Sequence, residues 1–220
     1  MTRVPRALEP AGIILADKPP GRSSFSIVAE VRRRTGARTG HAGTLDPFAT
    51  GLLVLLSGSA TRLAQSFVKL DKRYVTDIDL TARTSTGDPE GEVIERHAAP
   101  SDAELRHRLA GLRGEVELRV PVASAVKIGG ERAYRLHRRG EDVEMPVRRS
   151  HVHALDVLAH DGSSVRLDLR VGSGTYVRAI ADVLGGHCTT LRRLEVGPFS
   201  VDEADLERII AAEDALGRLT

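Results

Sequence analysis

The stretch Gly40-His41-Ala42-Gly43-Thr44-Leu45-Asp46-Pro47-Phe48-Ala49-Thr50-Gly51 runs straight into the apolar segment Leu52-Leu53-Val54-Leu55-Leu56. Its glycines and proline make the first part a loop. The apolar run reads as a short buried strand. Pro47 disfavours the α conformation at the residue before it, so Asp46 is expected on extended or turn backbone. One carboxylate is thereby set in a tight loop at the entrance to a core strand. Taken alone, such an Asp-Pro step is either a turn whose carboxylate caps nearby N–H groups or a held catalytic acid.

Around this loop the chain alternates between helical and strand periodicities. Gly12 to Ala16 reads as a buried strand, broken at Asp17-Lys18-Pro19-Pro20-Gly21. Ser24 can cap a helix with Phe25, Val28 and Val31 on one face, ended by Arg32-Arg33-Arg34, which suit the negative C-terminal dipole. A helix is expected over about 60–70. Tyr74, Thr76, Ile78 and Leu80 alternate with polar or smaller residues as a strand does, and 84–91 reads as a turn. Ser101 and Glu104 form a capping-box pattern before Leu105, Leu109 and Leu112. A short, very basic helix is expected over Glu131 to Arg139. Val165, Leu167, Leu169 and Val171 mark a strand, and Val177, Ile180, Ala181 and Leu184 a helix face. The final segment, Asp202 to Leu219, reads as an acidic amphipathic helix with Leu206, Ile209, Ile210 and Leu216 inward. Strands and helices in no strict βαβ order predict an α+β fold with a mixed or antiparallel sheet.

The 220 residues suffice for one large domain or two lobes with a substantial core. No apolar run approaches the roughly 20 residues of a membrane helix. Met1 to Pro10 is followed by no secretory h-region. The one cysteine, Cys188, excludes an internal disulfide and any multi-cysteine zinc site. The expected location is the cytoplasm. Net charge is only +2, yet residues 1–73 hold 12 Lys/Arg against 5 Asp/Glu, whereas 74–220 hold 20 against 25. That asymmetry suggests a basic face able to meet phosphates.

The side chains able to carry chemistry are few. Asp46 can serve as a nucleophile if neighbours orient it and keep it ionised. Arg178 can hold such a carboxylate, or pair with Asp182 four residues on along its own helix. Tyr74 and Tyr176 stand out in a chain that is 3% aromatic. Each can stack on a base and offer a hydroxyl, or pack in the core. His41 is a loop histidine or a wedge replacing an extruded base. His151 and His153 share one side of a strand without a third ligand at metal spacing. Gly172-Ser173-Gly174 is neither a phosphate loop nor a nucleophile elbow.

Five blocks together resemble the tRNA pseudouridine synthase B (TruB) family. They are Asp17-Lys18-Pro19-Pro20-Gly21-Arg22-Ser23-Ser24; the Asp46 loop; Asp71-Lys72-Arg73-Tyr74 with the turn Thr84 to Gly91; Gly174-Thr175-Tyr176-Val177-Arg178; and Leu191-Arg192-Arg193-Leu194. Ser124-Ala125-Val126-Lys127 with Gly130, Tyr134 and Arg138 is a weaker sixth.

The resemblance implies the pseudouridine synthase fold, a mixed, largely antiparallel sheet flanked by helices with a central active-site cleft. It implies a catalytic domain over about 10–200, with an RNA-gripping insertion at about 124–149, and then a short acidic helix at 201–220. The implied activity is isomerisation of uridine to pseudouridine at uridine 55 in the T arm of tRNA. Asp46 matches the essential aspartate, Tyr74 the tyrosine packed on the target base, and Arg178 the aspartate's partner. His41, Tyr176, Leu191 and Lys18 match substrate-contacting positions. Arg135, Arg138 and Arg139 fall in the gripping insertion. No metal, cofactor or obligatory protein partner is implied, and a monomer is expected. Ala42 stands where the family commonly has threonine, and His137 replaces a small residue. No full C-terminal RNA-binding module is evident, which implies weaker tRNA binding. Two other readings share the fold: a non-catalytic RNA-binding or tRNA-folding protein, and a synthase acting on other RNAs.

Overall fold

The computed structural model describes residues 11–219; the basic stretch Met1–Pro10 lies outside the described residues. In chain order come β1 (Gly12–Lys18), α1 (Ser24–Thr35), β2 (Thr39–His41), β3 (Thr50–Ser57), a 3-10 turn (Gly58–Leu63), α2 (Ala64–Val68) and β4 (Lys72–Asp79). Next are β5 (Ala82–Thr84), β6 (Val93–Arg96), α3 (Asp102–Ala110), β7 (Gly114–Arg119), β8 (Lys127–Ile128), β9 (Glu131–Arg132) and α4 (Ala133–Arg138). The chain ends with β10 (Val147–His160), β11 (Ser164–Val171), α5 (Val177–Leu184), β12 (His187–Val196), β13 (Phe199–Ser200), a 3-10 turn (Val201–Glu203), β14 (Asp205–Ala211) and α6 (Ala212–Gly217). It divides into two compact units, one of residues 1–73 and 192–220, the other of residues 74–191.

In the first unit the strands run β14-β1-β3-β12, with β2 also on β3 and β13 on β12. All of these pairs are antiparallel except β12 with β3, where Arg192 and Arg193 run parallel to Thr50 and Gly51. The run Leu52 to Leu56 is wholly buried, and its alternate residues join Ile13, Leu15, Phe67, Val196 and Phe199 in one core. Gly51 is required where β3 meets β12. Its φ is 99°, and a Cβ there would lie 2.2 Å from the Arg193 carbonyl oxygen.

Helix α1 is capped by the Ser23 hydroxyl, one residue before the expected position, and Gly36 closes it in the left-handed region. Its buried face is Ile27, Val28 and Val31, while Phe25 is 65% exposed. The expected helix over 60–70 is a 3-10 turn followed by a five-residue α2.

The acidic C-terminal helix is corrected. Residues 205–211 form strand β14 on the edge of β1, with Ile210 opposite Ile13, and only Ala212–Gly217 is helical. The open backbone edge of β1 offers hydrogen bonds that a helix in this segment would forgo, and Ile209-Ile210 favours extended backbone.

In the second unit the order is β4-β11-β10-β7, with β10 antiparallel to both neighbours. Burial on β4 alternates, with Tyr74, Thr76 and Ile78 inward. On β11, Val165, Leu167, Leu169 and Val171 are inward. Helix α3 has the full Ser101–Glu104 capping box, and α5 buries Val177, Ile180, Ala181 and Leu184. His151 and His153 stand on one side of β10 with ring centroids 4.4 Å apart. Among the described residues no helix is long and apolar enough to cross a membrane.

Candidate active site

Asp46 lies between β2 and β3, outside any helix or strand, and is half-buried. The backbone on both sides of it is anchored. Ahead of it, the Ala42 N–H donates to the Val54 carbonyl (2.9 Å), and Arg193 Nη2 donates to the Gly43 carbonyl (3.0 Å). At Leu45, the buried Ser24 hydroxyl donates to the carbonyl (3.0 Å) and accepts from the N–H (2.9 Å). Behind it, the Pro47 carbonyl accepts from the Gly21 N–H (2.8 Å) and from Lys18 Nζ (3.1 Å). The Asp46 carbonyl accepts from Ala49 N–H (3.1 Å), which closes the turn. The first motif of the chain is thus the brace of the second.

Lys18 is fully buried, and its ammonium also donates to the carbonyls of Pro19 (2.9 Å) and Arg22 (2.7 Å). The ammonium thus ties three backbone carbonyls together. This geometry makes Lys18 a support of the aspartate loop. His41 ends β2, and its buried Nδ1 has no hydrogen-bond partner. Burial, and after it the charge of Arg193, holds the ring below the ordinary histidine range, so it is neutral.

The other residues singled out belong to the second unit. Arg178, in the first turn of α5, is buried. It donates through Nη1 to the Thr86 carbonyl (2.6 Å) and through Nη2 to the Ala123 carbonyl (2.9 Å). Its Nη1 also lies 3.4 Å from Asp88 Oδ2. The surface pairing with Asp182 does not describe it, because Asp182 is bridged to Arg83 at 3.1 Å. Asp88 is itself fixed: its Oδ1 accepts from the Thr86 hydroxyl (2.6 Å) and the Glu90 N–H (3.1 Å). Gly87 takes φ 74° in this turn, with a would-be Cβ 3.4 Å from Arg178 Cβ.

Tyr74 is buried on β4, and Leu191 is buried on β12. Tyr176 precedes α5 and packs against the cluster of Val120, Ala133 and Met145. Two buried hydroxyls near these groups in sequence, Ser124 and Thr175, have no hydrogen-bond partner.

The basic helix is shorter than expected: Glu131–Arg132 form β9, and α4 covers Ala133–Arg138 with Arg139 at its C-cap. Arg135 and Arg138 lie over the Tyr134 ring, 5.9 and 5.6 Å from its centroid. Arg139 is held by both oxygens of Glu131 (2.6 and 3.0 Å) and by Glu141 (2.6 Å). The acids flank the helix outside its own turn, where helical spacing does not reveal them.

Sequence reasoning did not assign Ser24, Asp88 or Arg193 a part in the site. All three sit inside the recognised motifs, but their partners are backbone groups or distant side chains.

The chain matches the family model described as TruB family pseudouridylate synthase (N terminal domain) over residues 32–177. It is 42% identical over 218 residues to the tRNA pseudouridine synthase B of Arthrobacter sp. (strain FB24), covering 92% of this chain and 71% of that protein. With the protein of the same name from Thermobifida fusca (strain YX) it shares 43% over 219 residues, covering 92% and 75%. Among solved structures, a chain of a Cbf5-Nop10-Gar1 complex superposes with a TM-score of 0.67 at 29% identity, over 90% of this chain and 53% of that one. A pseudouridylate synthase structure at 17% identity and TM-score 0.54, covering 96% of this chain and 75% of that one, shows the same fold. The chain thus spans about seven-tenths of these curated relatives and about half of the first solved chain. The chain belongs to the TruB family of pseudouridylate synthases.

Proposed function

We propose that this protein isomerises uridine to pseudouridine in tRNA, at uridine 55 of the T arm. The reaction breaks the glycosidic bond to nitrogen and remakes it to carbon, so the uracil must leave the stack and turn. Extrusion costs a few kcal/mol of unstacking, which contacts to the RNA have to offset.

The observation that carries the reading is the braced Asp46 loop. A half-buried carboxylate whose neighbours Gly43, Leu45 and Pro47 are each tied by side chains or backbone is held for use at one place. Asp46 is assigned the essential aspartate, and Tyr74 the base-packing tyrosine with a part in proton removal. The role of Arg178 as partner of that aspartate rests on the motif match. Its burial and its fixed guanidinium suit an orienting group. His41, Tyr176 and Leu191 are assigned to the flipped nucleotide. Arg135 and Arg138, stacked on Tyr134, are assigned to the RNA. The same reading makes the protein a cytoplasmic monomer that works on tRNA without a cofactor.

The test is to incubate the protein with an unmodified tRNA transcript and map pseudouridine by nucleotide. Modification at uridine 55 supports the assignment. Stable tRNA binding without modification would point to the RNA-folding alternative, and modification elsewhere to another RNA target.

A further inference from the structure

Arg193 is 1% exposed, and both of its hydrogen bonds go to backbone. Nε donates to the Leu52 carbonyl at 2.7 Å and Nη2 to the Gly43 carbonyl at 3.0 Å. Leu52 begins the core strand after the aspartate loop, and Gly43 is three residues before Asp46 with φ 95°. One guanidinium thus fastens both ends of the loop to β12. A buried cation is costly, and two carbonyl acceptors offset only part of its lost hydration. Second to burial, its charge also lowers the pKa of two bases, His41 and Lys72, and so destabilises their charged forms. A residue kept solely for stability would be better served by an apolar side chain of similar size.

We propose that Arg193 is a positioning residue of the reaction: it fixes the Gly43 and Leu52 carbonyls, so that the aspartate loop is presented in one conformation. This rests on the pseudouridine synthase reading. Arg193 acts through the loop, without touching the RNA. The planar fork matters as much as the charge, because two carbonyls on different segments need two donors at a fixed spacing. Gly43 supplies the left-handed backbone that turns its carbonyl toward the fork.

The experiment compares Arg193→Gln and Arg193→Lys with the parent protein. It measures kcat and KM on a tRNA transcript, tRNA affinity, thermal unfolding, and the His41 titration by NMR. In Arg193→Gln, kcat should fall about tenfold to a hundredfold, as for a misplaced reacting group. Affinity should stay within about twofold, and the His41 pKa should move up toward the ordinary range. In Arg193→Lys the charge remains, so His41 should titrate nearly as in the parent, while kcat stays low because an ammonium cannot reproduce the fork. A parent-like kcat in Arg193→Gln overturns the proposal, as does a loss of rate wholly explained by weaker tRNA binding. If Arg193→Gln does not fold, Arg193→Lys decides: a parent-like kcat overturns the proposal and a reduced one upholds it. Failure of the parent protein to form pseudouridine would refute the functional reading instead. Amide exchange over 43–46 and the His41 titration would then still test the hold of Arg193 on the loop.

Discussion

Arg178 and Asp88 form a buried ion pair, Nη1 to Oδ2 3.4 Å, with side-chain exposures of 2% and 4%. The arginine comes from α5 and the aspartate from the turn between β5 and β6, so the pair ties a helix to a loop 90 residues earlier in the chain. Removing one partner leaves the other charge buried. Asp88→Asn should therefore cost about 3 kcal/mol of stability, the low end for a broken buried pair because the Thr86 and Ala123 carbonyls still accept from the guanidinium. At about 2–4 °C per kcal/mol for a chain of this size, melting should fall by roughly 6–12 °C. A double-mutant cycle with Arg178→Met should show coupling above about 1 kcal/mol; additive single effects would mean that the pair contributes nothing specific.

The carboxylate of Asp46 is expected to carry the chemistry. Asp46→Asn keeps the shape and removes the charge, so pseudouridine formation should drop at least about a hundredfold. Binding to tRNA should be largely retained and the unfolding midpoint little changed, since the loop is held through its backbone. Appreciable turnover by this variant would sink the assignment.

Lys72 should make stability depend on pH. It is 6% exposed, with Nζ donating to the carbonyls of Val68 and Leu70, both at 2.5 Å. Burial, then the charge of Arg193, lowers its pKa from 10.5 to about 8, with Asp71 opposing. Below pH 8 the group is charged in both states and the folded protein bears the whole cost of burying it. Between about 8 and 10.5 the folded state has released the proton while the unfolded chain still binds it, so stability rises with pH. Against Lys72→Met, the parent protein should gain up to about 3 kcal/mol across that window. Urea unfolding of both proteins from pH 7 to 10.5 checks this; a constant gap would mean that Lys72 does not titrate there.

The arginines of α4 and its C-cap should not be equivalent toward RNA. Arg139 is committed to Glu131 and Glu141, whereas Arg135 and Arg138 are stacked on Tyr134 and exposed. Arg135→Ala and Arg138→Ala should each weaken tRNA binding and lower the slope of log Kd against log salt by about 0.7–0.9. Arg139→Ala should change that slope less and mainly loosen the helix. Equal slopes for all three variants would show that the ion pairs give way when RNA binds.

Much of the local structure follows from short-range chemistry and was legible in the residues. The apolar run after Gly51, the alternation on β11, the i, i+3, i+4, i+7 face of α5 and the Ser101–Glu104 cap are properties of consecutive residues, and each forms as its spacing requires. The segment after Asp202 was misread because edge pairing with β1 outweighs helical spacing, and that partner lies almost 200 residues away in the chain.

The motifs by themselves determined which residue types are proposed for the chemistry: an aspartate before a proline, two tyrosines and an arginine in a glycine-led helix start. Only the tertiary structure decided how they are supported. Lys18 clamps the Pro47 carbonyl, and Arg178 pairs with Asp88. Ser24 and Arg193 became braces of the aspartate loop. The physical reason is that a long cationic side chain has no preferred partner in its own neighbourhood. Once buried, it must give its hydrogens to whichever acceptors the packed chain brings within about 3 Å, and those come from segments that are remote in sequence.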